Sequence, residues 1–179
     1  MGNSIIQGWK MADPEFFSNP KMINRGIGGQ TTPQMLLRFD QDVINASPEA
    51  VLILAGTNDI AGNTGEITLT EIRDNIDQMA EMAMENNIRV ILCSVLPAFD
   101  YPWRPGRHPD KKIPQLNGLL KELAKEKNLY YLDFFTVMAD ERNGLPKKLA
   151  DDGVHPTPEG YAVMKRLTMD AFKDMKLLP

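Results

Sequence analysis

Short apolar runs without polar alternation most limit what this chain can fold into. Such runs are typical of strands buried on both faces of a parallel sheet. The runs occupy residues 51–55, 90–95 and 129–132, and a less apolar fourth occupies residues 21–24. Longer amphipathic segments separate them, and strands that alternate with helices predict an α/β fold.

The intervening segments repeat apolar residues every three or four positions, as helices with one buried face do. One predicted helix begins near Thr70 as its N-cap, and its buried face comprises Ile72, Ile76, Met79 and Ala83. Another is predicted over about residues 111–127. Pro33 and Pro158 each suit the first turn of a further helix, where the missing N–H of proline costs nothing.

Two stretches, residues 98–112 and 140–158, lack periodicity and are predicted to be loops. The chain shows no internal repeat and no linker, so we expect a single domain over residues 1–179.

Composition excludes several classes of function. Lys and Arg total 20 against 24 Asp and Glu, a net charge of -4, and the lack of a basic run argues against a nucleic-acid partner. No apolar stretch reaches the ~18 residues of a membrane-spanning helix. The single cysteine, Cys93, cannot form an internal disulfide.

A histidine follows an aspartate by three residues in one of the predicted loops. His155, one of only two histidines, and Asp152 are the residues concerned. An aspartate at this distance can fold back onto one imidazole nitrogen and leave the other free as a base. The alternative is a loop histidine beside a helix-capping residue.

Such a base needs a nucleophile, and two candidates differ in setting. Cys93 lies inside an apolar run, where burial disfavours the thiolate. Ser4 lies between Gly2 and Gly8, and small neighbours allow the sharp turn and the close approach that a nucleophile needs. Most serines beside glycines only make turns, so this signal is weak by itself.

Acyl transfer also needs hydrogen-bond donors for the oxyanion. The glycine-rich segment 26–29 precedes a predicted helix, and Asn58 follows the run at 51–55. The carboxyl edge of a parallel sheet is where sites assemble. The alternatives are a tight turn and an ordinary turn residue.

Taken together, four segments resemble the SGNH hydrolases, also called the GDSL esterase and lipase family. The segments are Gly-Asn-Ser-Ile at 2–5, Gly-Ile-Gly-Gly-Gln-Thr at 26–31, Gly-Thr-Asn-Asp at 56–59 and Asp-Gly-Val-His-Pro at 152–156. The resemblance covers essentially the whole chain. It implies a flavodoxin-like three-layer α/β/α sandwich with a central parallel sheet of about five strands.

The resemblance also implies a role for each site residue. Ser4 would be the nucleophile, His155 the base and Asp152 the carboxylate that orients it. The oxyanion donors would be the backbone N–H groups of Ser4 and Gly29 and the side-chain amide of Asn58. No metal and no organic cofactor is implied.

The sequence departs from the family pattern near its start. Asn3 and Gln30 stand where many members have Asp, but neither position belongs to the triad. An apolar strand normally precedes the nucleophile, whereas only Met1 and Gly2 precede Asn3. We therefore expect the natural protein to continue upstream with a strand, with or without a signal sequence; the alternative is a mis-set start or a trimmed chain. The compartment stays open.

The substrate is predicted from the loop at 98–112. Tyr101 and Trp103 could stack on a sugar ring, and Arg104 could bind a carboxylate or phosphate; the alternative is that the aromatic side chains pack on the sheet edge. The loop also resembles that of bacterial SGNH esterases that act on carbohydrates. We expect an esterase that removes small acyl groups, acetyl above all, from a carbohydrate or small-molecule ester. A lysophospholipase or thioesterase and a non-catalytic carbohydrate-binding module are the alternatives, and the oligomeric state is left open.

Overall fold

A parallel sheet forms the centre of the fold in the computed structural model, which describes residues 1–177. Its strands are β1 (Ala50–Ile53), β2 (Arg89–Cys93) and β3 (Tyr130–Leu132), in that spatial order. The register places Ile53 beside Leu92 and Cys93 beside Leu132. The three clearest apolar runs are thus confirmed as parallel strands, although the first two end at Ile53 and Cys93.

The sheet has three strands within residues 1–177, so the expected number of about five is not confirmed for this part of the chain. Residues 21–24, predicted as a strand, do not form one. The side chain of Asn24 accepts from the Gly26 N–H at 2.9 Å and donates to the Ile6 carbonyl at 2.6 Å. Side-chain hydrogen bonds therefore fix this segment in place of a strand ladder.

Beyond β1, pairing within residues 1–177 continues only as isolated bridges. Gly2 forms parallel bridges with Leu54 on one side and with Gly26 on the other. The Met1 carbonyl accepts from the Leu54 N–H at 3.2 Å, and the Gly2 carbonyl accepts from the Ile27 N–H at 3.1 Å. The backbone before Ser4 thus lies beside β1, in line with the sheet.

Helices cover both faces of the sheet. They are α1 (Ser4–Ala12), α2 (Thr32–Phe39), α3 (Thr57–Ile60), α4 (Leu69–Glu85), α5 (Pro109–Glu126), α6 (Phe134–Met138) and α7 (Pro158–Asp174). A short 3₁₀ turn spans Phe16–Ser18, and a π-helical turn, Asp40–Ile44, continues α2. The helices predicted near Pro33, over 111–127 and from Pro158 are confirmed, with boundaries shifted by a few residues.

The N-terminus of α4 corrects the predicted cap. Thr68, not Thr70, is the N-cap: its hydroxyl accepts from the Glu71 N–H at 3.1 Å, and the Glu71 carboxylate accepts from the Thr68 N–H at 2.8 Å. This reciprocal pair satisfies two backbone donors and so fixes where the helix starts. The predicted inner face is confirmed, since its four residues are all buried: Ile72, Ile76, Met79 and Ala83.

Two hydrophobic cores give the molecule three layers. Val51 and Ile53 of β1 point to a core shared with α2, α4 and α5. Leu52 and Leu54 point to the opposite core, shared with α1, α6 and α7. Both faces of the strand are apolar because both are covered.

The carboxyl edge of the sheet positions the polar residues. After β1 the chain turns at Gly56, where φ is +118°. A Cβ there would lie 2.8 Å from Leu116 Cδ2, so only glycine fits without displacing that side chain. The turn delivers Asn58 to the edge at which Gly2 leads into Ser4. None of the helices in residues 1–177 is both long enough and apolar enough to cross a bilayer.

Candidate active site

Ser4, His155 and Asp152 form a continuous chain of hydrogen bonds. Ser4 is the first residue of α1, where the side chain of Asn3 caps the helix by accepting from the Ile5 N–H at 3.0 Å. Ser4 Oγ lies 2.9 Å from His155 Nε2, and His155 Nδ1 lies 2.6 Å from Asp152 Oδ2. The structure therefore brings together three residues predicted from distant parts of the chain, in an order that can carry a proton from the serine to the imidazole.

A tight turn explains why the three-residue spacing works. Asp152 Oδ1 accepts from the backbone N–H groups of Val154 at 2.9 Å and His155 at 2.7 Å, while Gly153 has φ of +79°. Burial by itself would raise the pKa of Asp152, but the hydrogen bonds from His155 and Val154 outweigh it and lower this pKa below its ordinary value. Asp152 is thus an anion that can hold the imidazole by its Nδ1 proton.

The glycine-rich segment lies against the serine. A Cβ on Gly28 would be 3.8 Å from Ser4 Cβ. The Gly28 N–H donates to Gln7 Oε1 at 2.7 Å, whereas the Gly29 N–H has no acceptor among the described residues. Gly29 has φ of +76°, a conformation that favours glycine. The free donor of this segment is therefore the one at Gly29.

Asn58 joins this segment to α3. The side chain of Asn58 is buried, and its Nδ2 donates to the Gln30 carbonyl at 3.0 Å. One N–H of the amide is thus used to hold the segment, and the second is left for another acceptor.

Three further residues hold the elements around the site together, and the sequence interpretation gave them no role. Asp59 Oδ1 accepts from Thr32 N–H at 2.8 Å and from Thr32 Oγ1 at 2.6 Å, which joins α3 to α2. Gln7 and Asn63 bind the segment itself. Only Asp59 had a usable signal, because it directly follows Asn58.

The loop after β2 contains both a buried and an accessible aromatic ring. Tyr101 is 0% exposed, so the prediction that it stacks on a sugar was wrong; its ring packs inside the protein. Trp103 is 39% exposed, stacks on Tyr101 with ring centres 5.0 Å apart, and has its centre 6.0 Å from that of His155. Arg104 is exposed, and its role as a ligand for anions stays a prediction.

Other reactive groups lie away from this chain of hydrogen bonds. Cys93 is buried, and burial raises the pKa of its thiol. Within residues 1–177, no cluster of three or more His, Cys, Asp or Glu side chains is arranged to hold a metal ion.

Comparison with known proteins relates the whole architecture to one family. The sequence model of the GDSL-like lipase/acylhydrolase family matches residues 1–163. The crystal structure of a GDSL-like lipase from Bacteroides thetaiotaomicron superposes with a TM-score of 0.95 at 44% identity, over 98% of this chain and 86% of that one.

Curated relatives are more distant in sequence. An acetylxylan esterase from Xylanibacter ruminicola is 25% identical over 97% of this chain and 42% of its own length. Platelet-activating factor acetylhydrolase IB subunit alpha2 from Rattus norvegicus is 27% identical over 90% of this chain and 69% of its own. The chain spans 42% of the length of the esterase and 35% of that of a Bacillus subtilis lipoprotein that it also matches.

Proposed function

Because the chain belongs to the GDSL-like lipase/acylhydrolase family, we propose that it is a serine ester hydrolase with Ser4, His155 and Asp152 as its catalytic triad. The observation that carries this proposal is the chain of hydrogen bonds from Ser4 Oγ through His155 to Asp152, with distances of 2.9 and 2.6 Å. A serine hydroxyl is a weak nucleophile until a neighbouring base accepts its proton.

In the first half of the reaction, Ser4 Oγ attacks the ester carbonyl as His155 Nε2 accepts the hydroxyl proton. The ionised Asp152 stabilises the resulting imidazolium through Nδ1. When the tetrahedral intermediate collapses, the bond between the carbonyl carbon and the alkoxy oxygen breaks. His155 protonates the departing alcohol, and the acyl group stays on Ser4.

In the second half, water attacks the acyl-enzyme as His155 accepts a proton from it. The carboxylic acid leaves, and the same proton returns to Ser4 Oγ. These steps need no metal and no organic cofactor, since the protein residues perform every proton transfer.

The oxyanion of each intermediate would be held by the N–H groups of Ser4 and Gly29 and by the side chain of Asn58. The Gly29 N–H, which has no acceptor within residues 1–177, and the second N–H of the Asn58 amide support this assignment. Donors fixed before the reaction stabilise the charge as it develops, without a cost of reorganisation in the transition state.

We infer an acetyl ester of a carbohydrate as the substrate. Two of the relatives are named for acetyl esters, an acetylxylan esterase and an acetylhydrolase. The half-exposed indole of Trp103, 6.0 Å from the His155 ring, would offer a flat apolar surface to a sugar at the position of the leaving alcohol. Arg104 would contact a negatively charged substituent.

The nucleophile is tested by hydrolysis of p-nitrophenyl acetate. Ser4→Ala should lower kcat on the order of 10⁴- to 10⁶-fold, as loss of a triad serine does. Ser18→Ala is the matched control, since Ser18 is exposed and only its own turn uses its hydroxyl. Full activity in Ser4→Ala would show that another residue attacks the ester.

The length of the acyl chain tests the substrate class. We expect kcat/KM for acetyl esters of p-nitrophenol to exceed that for decanoyl esters. We also expect the protein to release acetate from acetylated xylo-oligosaccharides. A preference for decanoyl esters would favour a lysophospholipase or thioesterase instead.

A further inference from the structure

The peptide unit that carries the Gly29 N–H lies between two peptide units that are each held by a side-chain amide. On the preceding side, the Gly28 N–H donates to Gln7 Oε1 at 2.7 Å. On the following side, the Gly29 carbonyl accepts from Asn63 Nδ2 at 3.1 Å. The donor between them has no acceptor of its own in the described part of the chain.

Gln7 ties this donor to the nucleophile. It lies three residues after Ser4 on α1, so the two side chains share one face of the helix. The contact with the loop is close, because a Cβ on Gly28 would be 2.9 Å from Gln7 Oε1. The helix that presents Ser4 therefore also fixes the approach of the glycine-rich segment.

Asn63 ties the same donor to Asn58 and to the loop of Trp103. The backbone N–H of Asn63 donates to the Asn58 carbonyl at 3.0 Å. Its side-chain Oδ1 accepts from the Trp103 indole N–H at 3.1 Å. One residue thus links two of the three expected oxyanion donors, Gly29 and Asn58.

Two adjacent glycines need such restraint. Gly28 and Gly29 lack side chains, and glycine has the largest conformational freedom to lose. If Gln7 no longer accepted from Gly28, that N–H would become a competing donor and the segment could rotate. A donor that must be reoriented during the reaction stabilises the oxyanion less than one already in place.

We propose that Gln7 and Asn63 are positioning residues that together hold the Gly29 N–H in the geometry the oxyanion requires. This inference rests on the proposed function, because it assigns the two amides to the same hydrolytic site. Neither side chain takes part in proton transfer.

The test uses near-isosteric variants that cannot make these bonds, Gln7→Met and Asn63→Leu, assayed on p-nitrophenyl acetate. Outright loss of an oxyanion donor costs on the order of 10²- to 10³-fold in kcat, so misplacing one should cost about tenfold in each variant. KM should stay within about twofold, because the ground-state ester does not depend on this donor. Gln41→Met and Asn45→Leu are matched controls, since both residues are exposed and neither side chain makes a hydrogen bond in the described structure.

A second readout separates positioning from a loss of folding. An alkylboronic acid forms a tetrahedral anion on a reactive serine, so its Ki should rise by the same factor as kcat falls. If titration of reactive serine shows fewer active molecules, while kcat per active molecule and the boronate Ki are unchanged, the two residues are merely structural and the inference is overturned.

The double variant tests whether the two amides act on one peptide unit. Its loss in kcat should be clearly smaller than the product of the two single losses, because either change already frees the donor. Losses that multiply would contradict a shared target. If Ser4→Ala abolishes hydrolysis but the variants match their controls, this inference alone fails; without Ser4-dependent hydrolysis in the unmutated protein, the proposed function fails with it.

Discussion

At the scale of single residues, one carboxylate builds the turn and also binds the imidazole. Asp152 Oδ1 holds two backbone N–H groups, and Oδ2 binds His155 Nδ1. Because the two oxygens serve different partners, the backbone of the turn and the orientation of the imidazole are set by the same side chain. Amidation of this group would keep the backbone bonds to Oδ1 but change what faces the histidine.

Asp152→Asn should therefore fold normally and lose activity. Without the anion, the imidazolium is no longer stabilised. An amide N–H that faces Nδ1 also favours the tautomer in which Nδ1 carries no proton, which is the wrong one for a base at Nε2. The expected fall in kcat on p-nitrophenyl acetate is on the order of 10³- to 10⁴-fold. The neighbouring variant Asp151→Asn removes the same charge from an exposed side chain, and its kcat should stay within about twofold of that of the unmutated protein. Equal losses in both variants would mean that local charge, not the hydrogen bond to His155, controls the rate.

The pKa of Asp152 sets the pH range in which its carboxylate stabilises the fold. Its pKa is lowered in the folded protein, so the carboxylate stabilises the fold above the ordinary aspartate pKa of 3.8 and this contribution is lost as pH falls through the lower folded value. Since the side chain is 44% exposed, solvent screens much of the effect. Activity at mildly acidic pH is thus not limited by protonation of Asp152.

At the residue scale, which residues lie together at the site could be predicted from short motifs, while the contacts that support them could not. Ser4, Asn58 and His155 each belong to a motif of a few residues. Gln7 and Asn63 have no such motif, because their importance comes from meeting the Gly28–Gly29 segment in space. The prediction for Tyr101 was wrong because its position in a loop does not reveal that its ring is fully buried.

At the scale of elements, local hydrogen bonds decide where helices begin. Thr68 and Glu71 exchange hydrogen bonds at the start of α4, so the helix starts before the residue that periodicity indicated. The spacing of apolar residues predicted the buried face of α4 correctly, because that face depends only on the helical period. The cap depends on a specific pair of side chains, and Thr70 also has the residue type of a cap.

The cap of α4 gives a prediction with its control in the same turn. Thr68→Ala should lower the free energy of unfolding by about 1 kcal/mol, the usual loss for an N-cap hydroxyl. Thr70→Ala removes the same hydroxyl inside the helix and should change stability by less than about 0.5 kcal/mol. Urea denaturation at constant m-value measures both; an equal effect at the two positions would show that the capping pair is not what stabilises this terminus.

At the scale of the whole molecule, parallel pairing brings the motifs to one edge. Apolar runs located β1, β2 and β3 because buried strands need no alternation. The remaining pairing could not be predicted from apolar runs, since Gly2 and Gly26 contribute single bridges without apolar side chains. The sequence thus predicts the centre of the sheet better than its margin.

A buried carboxyl group behind this edge makes global stability depend on pH. Asp59 is 2% exposed, and its Oδ2 has no hydrogen-bond partner in the described structure. Burial raises the pKa of Asp59 although Thr32 donates two hydrogen bonds to Oδ1. Asp59 therefore keeps its proton to higher pH in the folded state than in the unfolded state. The stability that this contributes is fully present below the unfolded pKa and is lost as pH rises through the higher folded value.

Asp59→Asn should remove this pH dependence, because an amide keeps an oxygen for Thr32 and cannot ionise. The difference in melting temperature, variant minus unmutated protein, should increase between about pH 3 and pH 7, since only the unmutated protein must bury a charge as the pH rises. Asp40→Asn, at an exposed position of the π-helical turn, should give a nearly constant difference over the same range. A flat difference would mean that folding does not shift the pKa of Asp59. A decrease with pH would mean that the carboxylate is stabilised as an anion and that its hydrogen bonds from Thr32 outweigh its burial.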